Sequence, residues 1–288
     1  MRQPFPVCYN GANQKKGGIF MLGAVFGDIA GSVYEGHPVK TVDFPLLPDG
    51  ARFTDDTVMT FAVAKAIIEA DAQDEAVLKK AVVRNMQAMG QAYPHRGYGG
   101  YFSKWLHAED PKPYNSLGNG SAMRVSPVGW IARSVEEAEA LAKATAEVTH
   151  NHPEGIKGAQ AIAVCILLAR QGADKPTIKR TVESRYGYDL SQSLDAIRPG
   201  YAMDATCPGS VPEAITAFLE GTDYEHVIRL AISLGGDSDT LACMAGGIAE
   251  AAFGMPAVLR EKAYAMLDGN LRRLASAFSA FRFGKLGA

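Results

Sequence analysis

The segment that decides the fold runs from Ile19 to Tyr34 and reads IFMLGAVFGDIAGSVY. Its residues are mostly apolar or small, which predicts a buried helix. Gly23, Gly27 and Gly31 recur at four-residue spacing, so they lie on one side of that helix. Because glycine has no side chain, a neighbouring helix can approach that side closely. The segment therefore predicts a core of closely packed helices.

Helical periodicity continues through most of the chain, and the alternating apolar pattern typical of half-buried strands is absent. Between Gly90 and Asn119 a loop rich in Gly, Pro and Tyr interrupts it, and a loop of this length indicates a functional role. Further helices are predicted over Thr54 to Ala70, Asp74 to Met89, Phe102 to His107 (a short one within that loop), and about 120–132, 135–147, 153–171, 174–185, 211–220, 223–233, 238–252 and 256–278.

These patterns predict an all-α fold in one compact domain, residues 19–288, because no repeat, composition shift or charge run divides the chain. Residues 1–18 contain scattered polar residues, prolines and glycines. We expect them to form a flexible N-terminal extension that the functional domain does not need.

Composition excludes several classes of function. The 288 residues include 29 Lys and Arg against 31 Asp and Glu, a net charge of −2, which gives no electrostatic reason for nucleic-acid or membrane binding. The apolar stretches are shorter than the roughly 18 residues that a membrane span needs. Cys8, Cys165, Cys207 and Cys243 form no C-x-x-C pair, so we interpret them as reduced thiols of a cytoplasmic protein. Nothing in the sequence indicates an oligomeric state.

Two acidic clusters are the main candidates for chemistry. One is Phe53-Thr54-Asp55-Asp56-Thr57, and the other is Gly235-Gly236-Asp237-Ser238-Asp239-Thr240; each lies at a predicted helix start. For either cluster alone, helix capping by Thr54 or Asp237 is the simpler interpretation. Together they supply four carboxylates and several hydroxyls, hard oxygen ligands that suit Mg²⁺ or Mn²⁺. If the two helix starts meet, the carboxylates repel one another unless cations lie between them.

Other candidates are ambiguous when taken singly. Glu35 follows a predicted helix, where an acid is unfavourable unless a cation is near, although a solvated surface role is the simpler interpretation. Asp28 is expected to have a structural or supporting role. The Gly118-Asn119-Gly120 sequence is typical of a simple turn, and His150 of a structural hydrogen-bonding residue.

In their order along the chain, these elements resemble the ADP-ribosylglycohydrolase family. The matching motifs are Gly27-Asp28 with Glu35, Thr54-Asp55-Asp56, Gly118-Asn119-Gly120-Ser121-Ala122-Met123-Arg124, Thr149-His150 and Gly236-Asp237-Ser238-Asp239-Thr240. The resemblance implies a compact all-α fold with a cleft that holds two divalent metal ions, Mg²⁺ or Mn²⁺. It also implies hydrolysis of the glycosidic bond between ADP-ribose and an acceptor.

The resemblance further implies the role of each matching residue. Glu35 would be the catalytic acid/base. The metal ligands would be Thr54, Asp55, Asp56, Asp237, Asp239 and Thr240. The substrate-binding residues would be Tyr98, Gly99, Gly100, Gly118, Asn119, Gly120, Ser121, Met123 and His150. The substrate would be an ADP-ribosylated protein or a small ADP-ribosyl compound, with arginine favoured over serine as acceptor by analogy with compact bacterial members.

Two functions of other classes remain as alternatives. The first is a catalytically silent protein that binds ADP-ribose, although the intact acidic clusters argue against it. The second is another small-molecule hydrolase with a pair of metal ions, for example a phosphohydrolase. Release of phosphate instead of ADP-ribose would identify the second alternative.

Overall fold

The computed structural model describes residues 20–70 and 74–286. The predicted extension, residues 1–18, lies outside the described residues. The part of the chain that the structure describes contains fifteen helices and no strand, apart from one isolated bridge between Gly118 and Thr206. The all-α prediction is therefore confirmed. None of these helices combines the length and the apolar character that crossing a bilayer requires.

In chain order the helices are α1 (Leu22–Gly31), α2 (Asp55–Ala70), α3 (Glu75–Ala92), α4 (Gly100–Leu106), α5 (Gly120–Met123), α6 (Ser126–Ile131), α7 (Val135–Ala146), α8 (Pro153–Arg170), α9 (Lys175–Tyr186), α10 (Leu194–Ile197), α11 (Cys207–Glu220), α12 (Tyr224–Ile232), α13 (Ser238–Phe253), α14 (Ala257–Met266) and α15 (Gly269–Leu286).

Some predicted boundaries were wrong because single polar residues and prolines start new helices. The stretch 120–132 is two helices, and Pro127 lies in the first turn of the second. The stretch 256–278 breaks where the Asp268 carboxylate accepts the N–H groups of Asn270 and Leu271. Helix α11 starts earlier than residue 211 because Thr206 caps it. Helix α10 has only four residues, too few to show a period.

The central helix is α13, whose residues from Ser238 to Ala251 are all buried. Helix α1 runs antiparallel along it, and the glycine side of α1 faces α13 as predicted. A Cβ atom on each glycine would lie within 2.6 Å of a carbonyl oxygen of α13: Gly23 near Gly246, Gly27 near Ala242 and Gly31 near Ser238. This contact brings the C-terminal end of α1 to the start of α13, where the second acidic cluster lies.

The other end of α1 is held by a buried acid. Glu250 of α13 accepts the Gly23 N–H at 2.8 Å, which satisfies a backbone donor at the start of α1. Burial raises the pKa of Glu250 to about 7, and the cationic Arg260 and Arg282 only partly oppose this rise. The folded protein therefore binds a proton at Glu250 more tightly than the unfolded chain does.

We expect Gly27→Ala to destabilise the protein by roughly 3 kcal/mol or more. Its Cβ would lie 2.0 Å from the Ala242 carbonyl oxygen, and backbone cannot move aside as a flexible side chain can. Urea unfolding measures the effect. The matched control is Gly284→Ala in α15, where no described residue has an atom within 4 Å of the added carbon. The free energy of unfolding of this control should equal that of the parent or exceed it by up to about 1 kcal/mol. Equal losses in both variants would contradict the packing argument.

We also expect the stability difference between Glu250→Gln and the parent to depend on pH. Burial raises the folded-state pKa of Glu250 from 4.5 to about 7, so the stabilisation from its bound proton is fully present below pH 4.5 and is lost as the pH rises to about 7. Over this pH range the free energy of unfolding of the variant should increase by about 3 kcal/mol relative to that of the parent. Urea unfolding at several pH values measures it. A difference that is constant with pH would show that Glu250 titrates normally.

Candidate active site

Asp28 joins the end of α1 to the start of α2. Its buried carboxylate accepts hydrogen bonds from the N–H groups of Thr54 and Thr57, at 2.9 and 3.1 Å, and from both threonine hydroxyls. The start of α2 is thus capped by a residue of another helix. The Thr54 hydroxyl is 3.4 Å from the nearest amide of its own helix, that of Asp56, so capping is not its principal role.

The two acidic clusters meet beside Asp28. The acids form two groups, and within each group one carboxylate oxygen per residue lies within 4.8 Å of the others. The first group is Asp28, Asp56 and Asp239, and the second is Glu35, Asp237 and Asp239. Asp239 belongs to both groups. At the N-cap position of α13, the Asp237 side chain makes no capping hydrogen bond. Capping therefore does not explain why these acids converge.

Burial and mutual repulsion raise the pKa values of the whole cluster. Burial raises the pKa of Asp56 and of Asp239 far above the usual range, and neighbouring carboxylates raise both further. Burial and the Asp28 charge raise the pKa of Asp55 to about 8. Partial burial raises the pKa of Glu35, and the charge of Asp237 raises it further. The charge of Arg52 opposes this rise. Such a cluster needs protons or cations to be stable.

The oxygen atoms present fit a divalent cation. Asp56 Oδ1 is buried and has no hydrogen-bond partner among the described residues, whereas Asp56 Oδ2 accepts from the Thr240 hydroxyl at 3.3 Å and lies at the same distance from the Thr54 hydroxyl. A buried carboxylate oxygen without a partner is costly unless something binds it. Both acidic groups offer only carboxylate oxygens, the donors that Mg²⁺ and Mn²⁺ prefer.

The acidic groups open into a cleft of about 410 Å³, a volume suited to a small-molecule ligand. Most of the residues predicted for the site line this cleft. They are Glu35, Thr54, Asp55, Asp56, Gly99, Gly100, Gly118, Asn119, Gly120, Met123, His150, Asp237, Asp239 and Thr240. Asp55 lines the cleft but belongs to neither carboxylate group, and Asp28 belongs to one of them.

Three residues predicted to bind substrate have other contacts. The Tyr98 hydroxyl donates to the Tyr93 carbonyl at 2.9 Å, and Tyr98 is not among the residues that line the cleft. Ser121 is fully buried and donates to the Gly155 carbonyl at 2.6 Å. The Asn119 side-chain amide donates to Asp237 at 2.8 Å, so it orients a carboxylate of the cluster.

His150 and Arg124 hold the part of the cleft wall formed by Gly118 and Gly120. Burial, followed by the charge of Arg124, lowers the pKa of His150 well below its usual range, so the imidazole is neutral at neutral pH. His150 Nδ1 lies 2.6 Å from the Thr149 hydroxyl, and Nε2 points toward Gly118 and Gly120. The buried Arg124 guanidinium donates to the Gly120 carbonyl and to Thr149, which holds the glycine segment in place.

Several other residues of the cleft could not be selected from the sequence. Tyr101 is 77% exposed and stacks on Tyr114, with ring centroids 6.1 Å apart. Both belong to the loop predicted to be functional, but composition does not show which ring faces a cleft. The arginines Arg52 and Arg96 also line it. The position of Arg52, just before Phe53 and Thr54, was the one available signal.

If the cluster binds divalent ions, we expect Asp239→Asn to reverse its stability relative to the parent when metal is added. In chelator the variant should melt higher, because folding forces the buried Asp239 either to take up a proton or to face neighbouring carboxylates, and an amide has neither cost. With Mn²⁺ at about 100 times its dissociation constant, the parent should gain about 2.7 kcal/mol and the variant much less. Thermal melts under both conditions measure this. The same order of stability with and without metal would contradict a cation site at Asp239.

Comparisons with known proteins agree with the fold and show the family. A family model described as ADP-ribosylglycohydrolase matches residues 18–284. ADP-ribosylhydrolase ARH3 of Mus musculus is 29% identical over 318 residues, covering 83% of this chain and 84% of the relative. ADP-ribosylarginine hydrolase Tri1 of Pseudomonas putida is 27% identical, covering 82% and 70%. A solved structure titled ADP-ribosylglycohydrolase-related protein complex superposes with a TM-score of 0.67 at 25% identity, covering 92% of this chain and 95% of that one.

Proposed function

Because the chain belongs to the ADP-ribosylglycohydrolase family and is a hydrolase of that class, we propose that it removes ADP-ribose from modified protein side chains with two divalent metal ions. The observation that carries the proposal is the pair of carboxylate groups that share Asp239, beside a cleft of ligand size. The buried Asp56 oxygen without a partner supports the presence of ions there.

The residues proposed to hold the ions are Thr54, Asp55, Asp56, Asp237, Asp239 and Thr240. When bound, Mg²⁺ or Mn²⁺ supplies Lewis-acid polarisation and a lowered pKa for water at neutral pH. The chain keeps the carboxylates in place through hydrogen bonds: the Thr54 hydroxyl donates to Asp28, the Thr240 hydroxyl to Asp56, and the Asn119 amide to Asp237. These contacts limit the reordering that ion binding requires.

The part of the cleft lined by Gly118, Gly120 and His150 is proposed to bind ADP-ribose. At Gly118 and Gly120 the absence of a side chain lets the backbone approach phosphate oxygens closely. The neutral imidazole of His150 can donate a hydrogen bond from the nitrogen that faces these glycines. The exposed ring of Tyr101, stacked on Tyr114, offers an aromatic surface at the cleft. An adenine ring can stack on such a surface.

Glu35 is proposed to transfer protons at the scissile bond. Its carboxylate lies with those of Asp237 and Asp239 at the cleft, and its raised pKa favours proton exchange nearer to neutral pH. In hydrolysis a water oxygen bonds to the anomeric carbon and gives up a proton, while the bond to the acceptor breaks and the acceptor gains a proton. Glu35 can receive the first proton and deliver the second.

We expect Glu35→Gln to retain ADP-ribose binding and to lose turnover by about 10²- to 10⁴-fold, the usual contribution of a well-placed acid/base. Calorimetry measures binding, and release of ADP-ribose measures turnover. The matched control, Glu109→Gln, alters an exposed glutamate that does not line the cleft and should behave as the parent does. Full activity of Glu35→Gln would refute the assigned role.

Arginine is the acceptor that we propose first. This follows the analogy with compact bacterial members, and the similar chain from Pseudomonas putida is named for ADP-ribosylarginine. Serine is the second candidate, because Arg52 and Arg96 line the cleft and form no ion pair with a described residue. Two guanidinium groups there disfavour a third one on the acceptor. A small ADP-ribosyl compound would present the same ADP-ribose half.

We place the reaction in the cytoplasm. Cys165, Cys207 and Cys243 are buried free thiols, as expected for a reducing compartment.

Release of ADP-ribose from arginine-linked and serine-linked substrates, with Mg²⁺, with Mn²⁺ and with chelator, tests the proposal. We expect metal-dependent release, faster from arginine, that is absent in Asp239→Asn. Faster release from serine, with the preference reduced in Arg52→Gln, would select the second candidate. ADP-ribose binding without release would indicate a silent binding protein, and metal-dependent release of phosphate would indicate a phosphohydrolase.

A further inference from the structure

The Lys40 side chain connects three segments that are far apart in sequence. Its ammonium group donates hydrogen bonds to the carbonyl oxygens of Leu234 at 2.5 Å, Tyr201 at 2.6 Å and Arg198 at 3.0 Å. An ammonium group has three N–H donors, so all of them have a partner here. Lys40 itself lies five residues after Glu35.

The position of this cation has an electrostatic reason. Arg198 is the C-cap residue of α10, and Leu234 follows α12 by two residues. The carbonyls at a helix C-terminus lack partners within the helix and carry partial negative charge. Two helix ends converge on Lys40, and a cation satisfies both.

The Leu234 carbonyl directly precedes the turn that leads into the acidic cluster. Gly235 and Gly236 have φ angles of +71° and +69°, a backbone conformation that favours glycine, and Asp237 and Asp239 follow. A Cβ on Gly236 would lie 2.7 Å from the Ala202 carbonyl oxygen, and one on Gly235 would lie 3.3 Å from Lys40 Nζ. The turn is thus packed against residue 202 on one side and against the ammonium group on the other.

A second cation, Arg229, binds the segment that carries Lys40, but its contacts lie a few residues beyond Lys40 in the chain. The Arg229 guanidinium donates to the carbonyls of Val42 and Phe44, at 3.1 and 2.8 Å. Arg229 therefore fastens this segment to α12 without a bond to the Leu234 carbonyl. Lys40 is the residue of this segment that bonds to the carbonyl just before the turn.

We propose that Lys40 is a positioning residue that sets the affinity of the site for divalent ions, by holding the Gly235–Gly236 turn so that Asp237 and Asp239 face the other carboxylates. The inference rests on the metal site in the proposed function. Without the ammonium group, three carbonyls lose their donor and the turn must be ordered when the ion binds. Loss of a residue that supports metal ligands typically weakens metal affinity by about 10- to 100-fold.

The test compares Mn²⁺ affinity of the full chain, without substrate, in the parent and in Lys40→Met. Titration followed by electron paramagnetic resonance counts free Mn²⁺, so no catalytic activity is needed. Lys40→Met removes the ammonium group and keeps an unbranched side chain. We expect its Mn²⁺ dissociation constant to rise by about 10- to 100-fold.

Lys175→Met is the matched control. Its ammonium group also donates to a backbone carbonyl, that of Gly221, and lies over the rings of Phe218 and Phe253, none of which lines the cleft. Both variants should lower the melting temperature in chelator. The control should bind Mn²⁺ within about twofold of the parent, because it leaves the turn and its ligands unchanged.

A rescue experiment separates positioning from general destabilisation. Lys40 borders an open surface pocket of about 500 Å³, so a small primary ammonium ion can reach the space left in Lys40→Ala. Added propylammonium should recover part of the Mn²⁺ affinity of Lys40→Ala and leave the parent unchanged.

Unchanged Mn²⁺ affinity in Lys40→Met, with the parent binding normally, would overturn this inference alone. A parent chain that binds no Mn²⁺ would overturn both the inference and the metal site of the proposed function.

Discussion

The hydrogen bonds that the buried carboxylate of Asp28 accepts from the first turn of α2 hold the site together. They join α1 to α2 through Thr54 and Thr57. The close contact between α1 and α13, which the glycines of α1 permit, places Asp28 near the start of α13. Three helices therefore meet at one carboxylate. As a result, Asp56 on α2 and Asp239 on α13 lie beside Asp28.

The convergence of buried acids lowers the stability of the folded protein, which indicates that the acids serve a function. Buried acids raise one another's pKa values, and Asp56 keeps an oxygen without a partner. A sequence selected only for a stable core would place apolar or capping residues there. The cleft also carries cationic side chains, Arg52 and Arg96, close to the acids. A cleft that holds both carboxylates and guanidinium groups suits a ligand that has phosphate groups and also binds near cations.

The sequence predicts much of this arrangement because its signals are local or periodic. Helical spacing gives most elements, and four-residue glycine spacing gives a close helix contact without naming α13 as the partner. A structural role was expected for Asp28, but its partners could not be predicted, because they lie 26 and 29 residues away and only packing brings them together. Likewise, no pattern distinguishes Tyr98 from Tyr101. Gly97 takes a φ of +101° and α4 starts at Gly100, and this local geometry decides which ring lines the cleft.

The account depends on divalent ions at the shared carboxylates, and anomalous diffraction from crystals soaked in Mn²⁺ tests this most directly. The account predicts two anomalous peaks. One should lie beside the carboxylates of Asp56 and Asp239, and the other beside those of Asp237 and Asp239. Saturating Mn²⁺ that gives no peak at either group, or peaks only elsewhere on the protein, would contradict it.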